Sequence, residues 1–178
     1  ISSSIGIPCN IISIFIFARL LRIKTNMGFL FIWQCSVDII MLILFLFLFR
    51  ATSTFGINIY GTNNFDCKFL NFLRRFILHT CSWIAVLTTF DRFTFVVYGH
   101  EGRFRFLKKK RYLTCIILVI FAFLTLLNIP NFFFYIKKAG SCKADFTAKI
   151  SSDIISILIR AFIPFALMVI FNTIIILK

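Results

Sequence analysis

Six ionisable side chains stand inside, or at the edge of, long uncharged runs. Asp38 lies eleven residues from each end of an otherwise uncharged stretch, Met27 to Phe49. Arg74 and Arg75 interrupt Phe69 to Phe90, and Arg160 interrupts Ile154 to Leu177. Asp91 and Arg92 close a run that begins at Phe76 and are the only place where an Asp or Glu adjoins a Lys or Arg. A carboxylate at the centre of a bilayer costs at least about 3 kcal/mol, so groups in such places are held by partners and mark ion, ligand or switch sites. The plainer reading for each arginine is a guanidinium that snorkels to headgroups. Catalytic chemistry has no counterpart here. The chain contains no Walker loop, HExxH, GxSxG or metal-spaced Cys/His cluster, so neither an enzyme nor a metal site is expected.

The elements that position these groups are membrane spans. The 178 residues are 60% hydrophobic and 18% aromatic, with only 15% charged. A soluble domain carries about one-quarter charged residues, and a mean hydropathy of +0.97 fits an integral membrane protein. Ile1 to Ala18 and Leu113 to Ile136 carry no charge at all. A span needs about 20 mostly apolar residues, so five fit, at about 1–21, 27–50, 67–98, 111–136 and 152–178. The expected fold class is all-α, a transmembrane helical bundle. The first span lacks the basic flank of a signal peptide. A start at Ile1 and a last span that ends at Lys178 read as a fragment of a longer chain.

The net charge of +14 would suggest nucleic acid in a soluble protein. Here the bases fall in loops between apolar runs, which fits topology signals and lipid headgroups instead. Eleven of the twenty Lys and Arg lie on one side: Arg19, Arg22 and Lys24, then Arg92, Arg103, Arg105, Lys108, Lys109, Lys110 and Arg111, then Lys178. The positive-inside rule places these loops in the cytoplasm and the N-terminus outside.

The third span acts as a ruler. Cys67 and Arg92 are 25 residues apart, about 37 Å on an α-helix, against a hydrocarbon core of about 30 Å. One helix thus reaches from one surface to the other. Cys9, Cys35, Cys81 and Cys115 fall inside spans, where cysteine behaves as a small hydrophobe. Only Cys67 and Cys142 are placed in outer water, where thiols oxidise, so a Cys67–Cys142 disulfide is expected; the alternative is two free loop thiols.

In order and spacing these features resemble the rhodopsin-like, class A, G-protein-coupled receptors. The resemblance consists of Cys67 opening the third span, the triplet Asp91-Arg92-Phe93 near its other end, Cys142 in the next outer loop, Asn10 and Asp38 central in the first two spans, and Pro164 in "AFIPFALMVIFN" of the fifth. It covers the whole chain and the first five of seven helices. The departures are Phe93 in place of the usual Tyr, a fourth span without its central Trp, Gly99 where Pro often stands and Asn172 where Tyr often stands. "NIPNFFFY", which contains Pro130, is similar to invertebrate neuropeptide receptors of the FMRFamide type.

The resemblance implies roles. Asp91 pairs with Arg92 and restrains it until activation turns the arginine to a heterotrimeric G protein. Asn10, Asp38 and Cys81 form an intramembrane polar site where relatives hold sodium, with Cys81 replacing a Ser. Arg74 stands where amine receptors carry an Asp, which repels an amine ligand. Arg74 and Arg160, with His79 lower down, line a pocket for a ligand with an anionic or carbonyl-rich end. Pro130 and Pro164 kink their helices. The expected function is a receptor for an extracellular ligand, with a neuropeptide as the first reading. The alternatives are a chemosensory receptor for a small molecule, or a transporter or channel subunit with Asp38 and Arg160 as pathway charges. The expected location is the plasma membrane.

Overall fold

The computed structural model describes residues 2–19, 26–46, 54, 56, 63–99, 110–138, 141–144 and 146–178. The basic segment 100–109, with His100, and the segments 20–25 and 47–53 lie outside the described residues. The fold is a helical membrane bundle. Its helices are α1 (Ser2–Arg19), α2 (Asn26–Phe45), α3 (Asn64–Tyr98), α4 (Lys110–Phe134), α5 (Phe146–Ile157) and α6 (Ile163–Leu177). A π-helical turn, Leu158–Phe162, joins α5 to α6, so that the two form one rod. Between α4 and α5 runs a short antiparallel hairpin, β1 (Tyr135–Lys138) and β2 (Ser141–Ala144), with Lys137 opposite Cys142. The sequence reading placed only a polar loop there.

α3 is the axis. It packs on α2, on α4, on β1 and on the α5–α6 rod, whereas the main neighbour of α1 is α2. It runs unbroken for 35 residues, about 52 Å at helical rise. Asp66 sits in its first turn, where negative charge suits the helix dipole. It ends at Gly99, whose φ of 59° is a left-handed value and whose N–H donates to the Phe95 carbonyl.

Position explains composition. α2, residues 111–134 of α4 and the Lys149–Leu177 rod are each long and apolar enough to cross a membrane by themselves. Their exposed faces carry side chains such as Ile40, Val119, Phe165 and Ile170. α3 is ringed by protein and buries His79, Thr80, Thr88 and Thr94. The Thr80 and Thr88 hydroxyls are satisfied inside the helix, donating to the Phe76 and Ile84 carbonyls at 2.8 and 2.9 Å. Two apolar clusters fix its neighbours. Leu87 meets Leu30, Leu113 and Ile117, and Ile77 and Ile84 meet Val37. Trp33 and Phe121 touch edge to face between α2 and α4 at 6.1 Å.

Candidate functional site

Cys67 and Cys142 form a disulfide that ties the first turns of α3 to β2, with Cα atoms 5.6 Å apart. Asn71, one turn further along α3, donates to the Cys67 carbonyl at 2.8 Å and to Cys142 Sγ at 3.2 Å. The hairpin is thereby held against α3 at the disulfide end of the bundle.

Below it lies a cavity of about 620 Å³ bounded by α3, the hairpin and the α5–α6 rod. Asn71, Arg74, Arg75 and Leu78 line it from α3, while Lys149, Asp153, Ser156, Ile157 and Arg160 line it from the rod. Both sets recur every three to four residues, so one face of each helix is committed to the cavity. Four cations and one carboxylate therefore surround it.

Arg75 is already engaged. Its Nη2 meets the Asp153 carboxylate at 2.5 Å and donates to the Tyr135 hydroxyl at 3.1 Å. Its Nη1 donates to Ser152 Oγ at 2.8 Å. This one side chain clamps α3, β1 and α5 together.

His79 is the residue that the structure places elsewhere. It is buried, at 3% exposure, and is not among the cavity's lining residues. Asn128 Nδ2 donates to the Leu124 carbonyl at 2.7 Å, and a carbonyl only accepts, so that atom is the amide nitrogen. The same nitrogen lies 2.9 Å from His79 Nδ1, which must accept. His79 therefore carries its proton on Nε2 and donates to Ser156 Oγ at 2.9 Å. The bridge joins α3, α4 and α5 directly beneath the cavity, and Ser156 belongs to both.

Arg160 sits in the π turn, where the Ile163 N–H reaches back five residues to the Leu158 carbonyl. Pro164 follows at once and supplies no N–H, so regular α-helical bonding fails at this point and the wider turn takes its place. Arg160 also borders a second space of about 550 Å³, lined mainly by apolar groups that include Cys81, Pro164 and Met168. Pro130 lies inside α4, in its last two turns.

Asp38 finds its recorded partner on its own helix. Both carboxylate oxygens accept from Gln34 Nε2 at 3.1 Å. Cys81 approaches from α3 closely enough to interact with the carboxylate. Asn10 is half-buried on α1. Gln34 Oε1, beside the carboxylate, is buried without a hydrogen-bond partner among the described residues.

At the far end of α3 the expected Asp91–Arg92 ion pair is absent. Side chains at i and i+1 on a helix point about 100° apart and do not face each other. Asp91 bonds instead to the Asn26 side chain at the start of α2. The Arg92 guanidinium stands over the Phe31 ring at 5.3 Å, and Phe31 stacks on Phe17 of α1 at 4.7 Å. Phe93 and Phe90 enclose Phe171 of α6, at 5.1 and 5.4 Å. Lys178 donates to the Val96 and Val97 carbonyls at the end of α3, where a cation suits the helix dipole.

A sequence profile of the serpentine type 7TM GPCR chemoreceptor family Srx matches residues 1–178. The chain belongs to the Srx chemoreceptor family. Comparison with curated proteins gives no match. Srx membership makes the chain part of an integral membrane receptor that signals through G proteins and answers a ligand. It favours the chemosensory alternative over the neuropeptide reading.

Several residues of this Srx site escaped the sequence reading. Asn128, a polar amide within the uncharged stretch Leu113 to Ile136, was one available signal. The pair Ser152 and Ser156, one turn apart on the rod, was another. Lys149, Asp153 and Tyr135 gave no such signal, because nothing local shows that a hairpin folds over α3.

Proposed function

We propose that this chain forms the ligand-receiving and signalling wall of a chemosensory receptor in the plasma membrane, with its N-terminus outside. A small molecule enters the cavity at the disulfide end. The Arg92 end faces the cytoplasm and a heterotrimeric G protein. The observation that carries this reading is the arrangement on α3: one unbroken helix has the disulfide-braced cavity at one end and Asp91-Arg92-Phe93 at the other. Of the described basic residues expected in the cytoplasm, Arg92 and Lys178 lie together at the same end of α3, which supports the orientation. A cavity of about 620 Å³ is the size of a small-molecule site.

Signalling then requires two bundle arrangements that the ligand distinguishes. In the arrangement seen, the Arg92 guanidinium rests on the Phe31 ring, and Phe171 packs against both Phe90 and Phe93. Activation releases these aromatic contacts and presents Arg92 to the G protein. The test is a G-protein biosensor in cells that express the complete receptor, screened against small organic molecules. A response that is lost in Arg92→Ala at equal surface expression supports the reading. An undiminished response in that variant refutes the role of Arg92.

A further inference from the structure

The four cations of the cavity are not equivalent, and their differences point to the ligand's chemistry. This step rests on the receptor reading above. Arg75 already holds Asp153, Ser152 and Tyr135, and its side chain is only 12% exposed. Its charge is answered within the protein, and its donors are aimed away from a ligand. Among the described residues Asp153 is the only acidic one lining the cavity, and it is taken up by Arg75. Lys149 and Arg160 form no ion pair among the described residues, and Arg74 lines the same space.

These three lie at successive depths. Arg75 bonds to Ser152, so Arg74 sits near the level of residues 151–152 on the rod. Lys149 is just above that level, at the mouth, and is exposed. Arg160 is eleven residues below Lys149 on the same face, about 16 Å along the helix, and is half-buried in the π turn.

We propose that the cavity binds a small organic oxyanion, a carboxylate or phosphate, drawn inward by Lys149 and held at the floor by Arg160. Charges at an open mouth act at long range and are screened by salt. A half-buried guanidinium presents a fork that matches the planar or tetrahedral oxygens of an anion and is screened less. Lys149 thus steers and Arg160 binds. Arg160 also borders the apolar space beside Pro164, so an anion seated there touches the one turn of the rod that lacks regular helical bonding.

The experiment uses the purified complete receptor and ligand-observed NMR with four probes of nearly one size: phenylacetate, phenyl phosphate, phenylacetamide and phenethylammonium. Millimolar concentrations are used, the range in which ligands this small bind. The expected result is binding of phenylacetate or phenyl phosphate at least tenfold tighter than of the amide, with the amine excluded. A preference between the two anions names the head group. Arg160→Gln should weaken binding at least tenfold at every salt concentration, and Arg160→Lys by less, since it keeps the charge and loses the fork. Lys149→Gln should weaken it severalfold at low salt only. Asp153→Asn should tighten it severalfold. Equal binding of amide and anions, no binding of either anion, or an Arg160→Lys protein indistinguishable from the parent would overturn the proposal. A receptor that still signals through Arg92 but binds neither anion loses this inference and keeps the receptor reading.

Discussion

The buried bridge under the cavity makes a prediction that can be worked through in numbers. Asn128 is fully buried, at 0% exposure, and its amide nitrogen donates to His79 Nδ1. Asn128→Leu keeps the volume roughly constant but leaves that ring nitrogen without its donor. An orphaned buried acceptor costs about 1–3 kcal/mol in a protein interior. Hydrogen bonds between membrane helices average only about 0.6 kcal/mol and reach about 1.7, because the unfolded helices find other partners. His79 is 3% exposed and bridges α4 and α5 from α3, so the upper end applies, about 1.5 kcal/mol. At about 2–4 °C per kcal/mol for a chain of this size, the melting temperature should fall by about 3–6 °C.

The double variant His79→Phe, Asn128→Leu removes acceptor and donor together. Ser156 loses its partner but lines the cavity and can turn to solvent there. Replacing both members of a pair by apolar groups of similar shape is close to neutral, so the double variant should melt no lower than Asn128→Leu. The assay is thermal unfolding of the purified complete receptor in detergent, carried out as a double-mutant cycle. Additive losses from the two single variants would show that the two side chains act independently and would refute the bridge.

Cys67→Ser and Cys142→Ser should each reduce surface expression, and the double variant should be no worse than either, because they break one bond. The bridge closes a segment of 75 residues, worth up to about 4 kcal/mol on a loop-entropy account; the membrane already confines the ends of that segment, so a smaller loss is expected. Surface levels of both single variants equal to the parent would count against a structural role. Phe31→Ala should raise basal G-protein activity about two- to fivefold, since the cation–π contact it removes from the exposed Arg92 is worth about 0.5–1 kcal/mol. Phe17→Leu, which disturbs the stack on Phe31 but spares Arg92, serves as the control; an equal rise in both would point to loosened packing of α1 on α2.

What the sequence disclosed follows from the range of each signal. The charge-free runs and the Cys67–Arg92 spacing are local, and they were enough for the bundle and its disulfide; the placing of Arg74 and Arg160 at one cavity came from the family resemblance. Pair geometry was not local. The neighbours Asp91 and Arg92 read as an ion pair on paper, yet a helix turns them apart toward Asn26 and Phe31. Arg75 read as a snorkelling cation because Asp153, Ser152 and Tyr135 are 60 to 78 positions away. His79 read as a pocket group because helical spacing gives depth and face but not whether Asn128 closes the space behind it. The narrower neuropeptide resemblance rested on "NIPNFFFY", whose last residue, Tyr135, begins β1 and lines the cavity.

The π turn ties the two ends of the molecule together. Above it, Ser152 and Ser156 meet Arg75 and His79, two rungs one turn apart on both helices. Below it, Phe171 is seated between Phe90 and Phe93. A π turn amounts to one extra residue in an α-helix, and each residue turns a helix by about 100°. Deleting Ala161 should remove the wide turn, although Pro164 still supplies no N–H, and turn everything below it by about 100° relative to everything above. The rungs and the Phe171 seat then cannot both be kept. Since the rungs are hydrogen-bonded and charged whereas Phe171 is held by ring contacts worth about 0.5–1.5 kcal/mol each, the lower contacts should yield. The deletion should therefore preserve binding at the cavity while disturbing G-protein activation, a split that an ordinary destabilised variant would not show. If the deleted form binds and signals like the parent, the turn is a local accommodation of Pro164 and the coupling between Arg160 and the Arg92 end runs elsewhere.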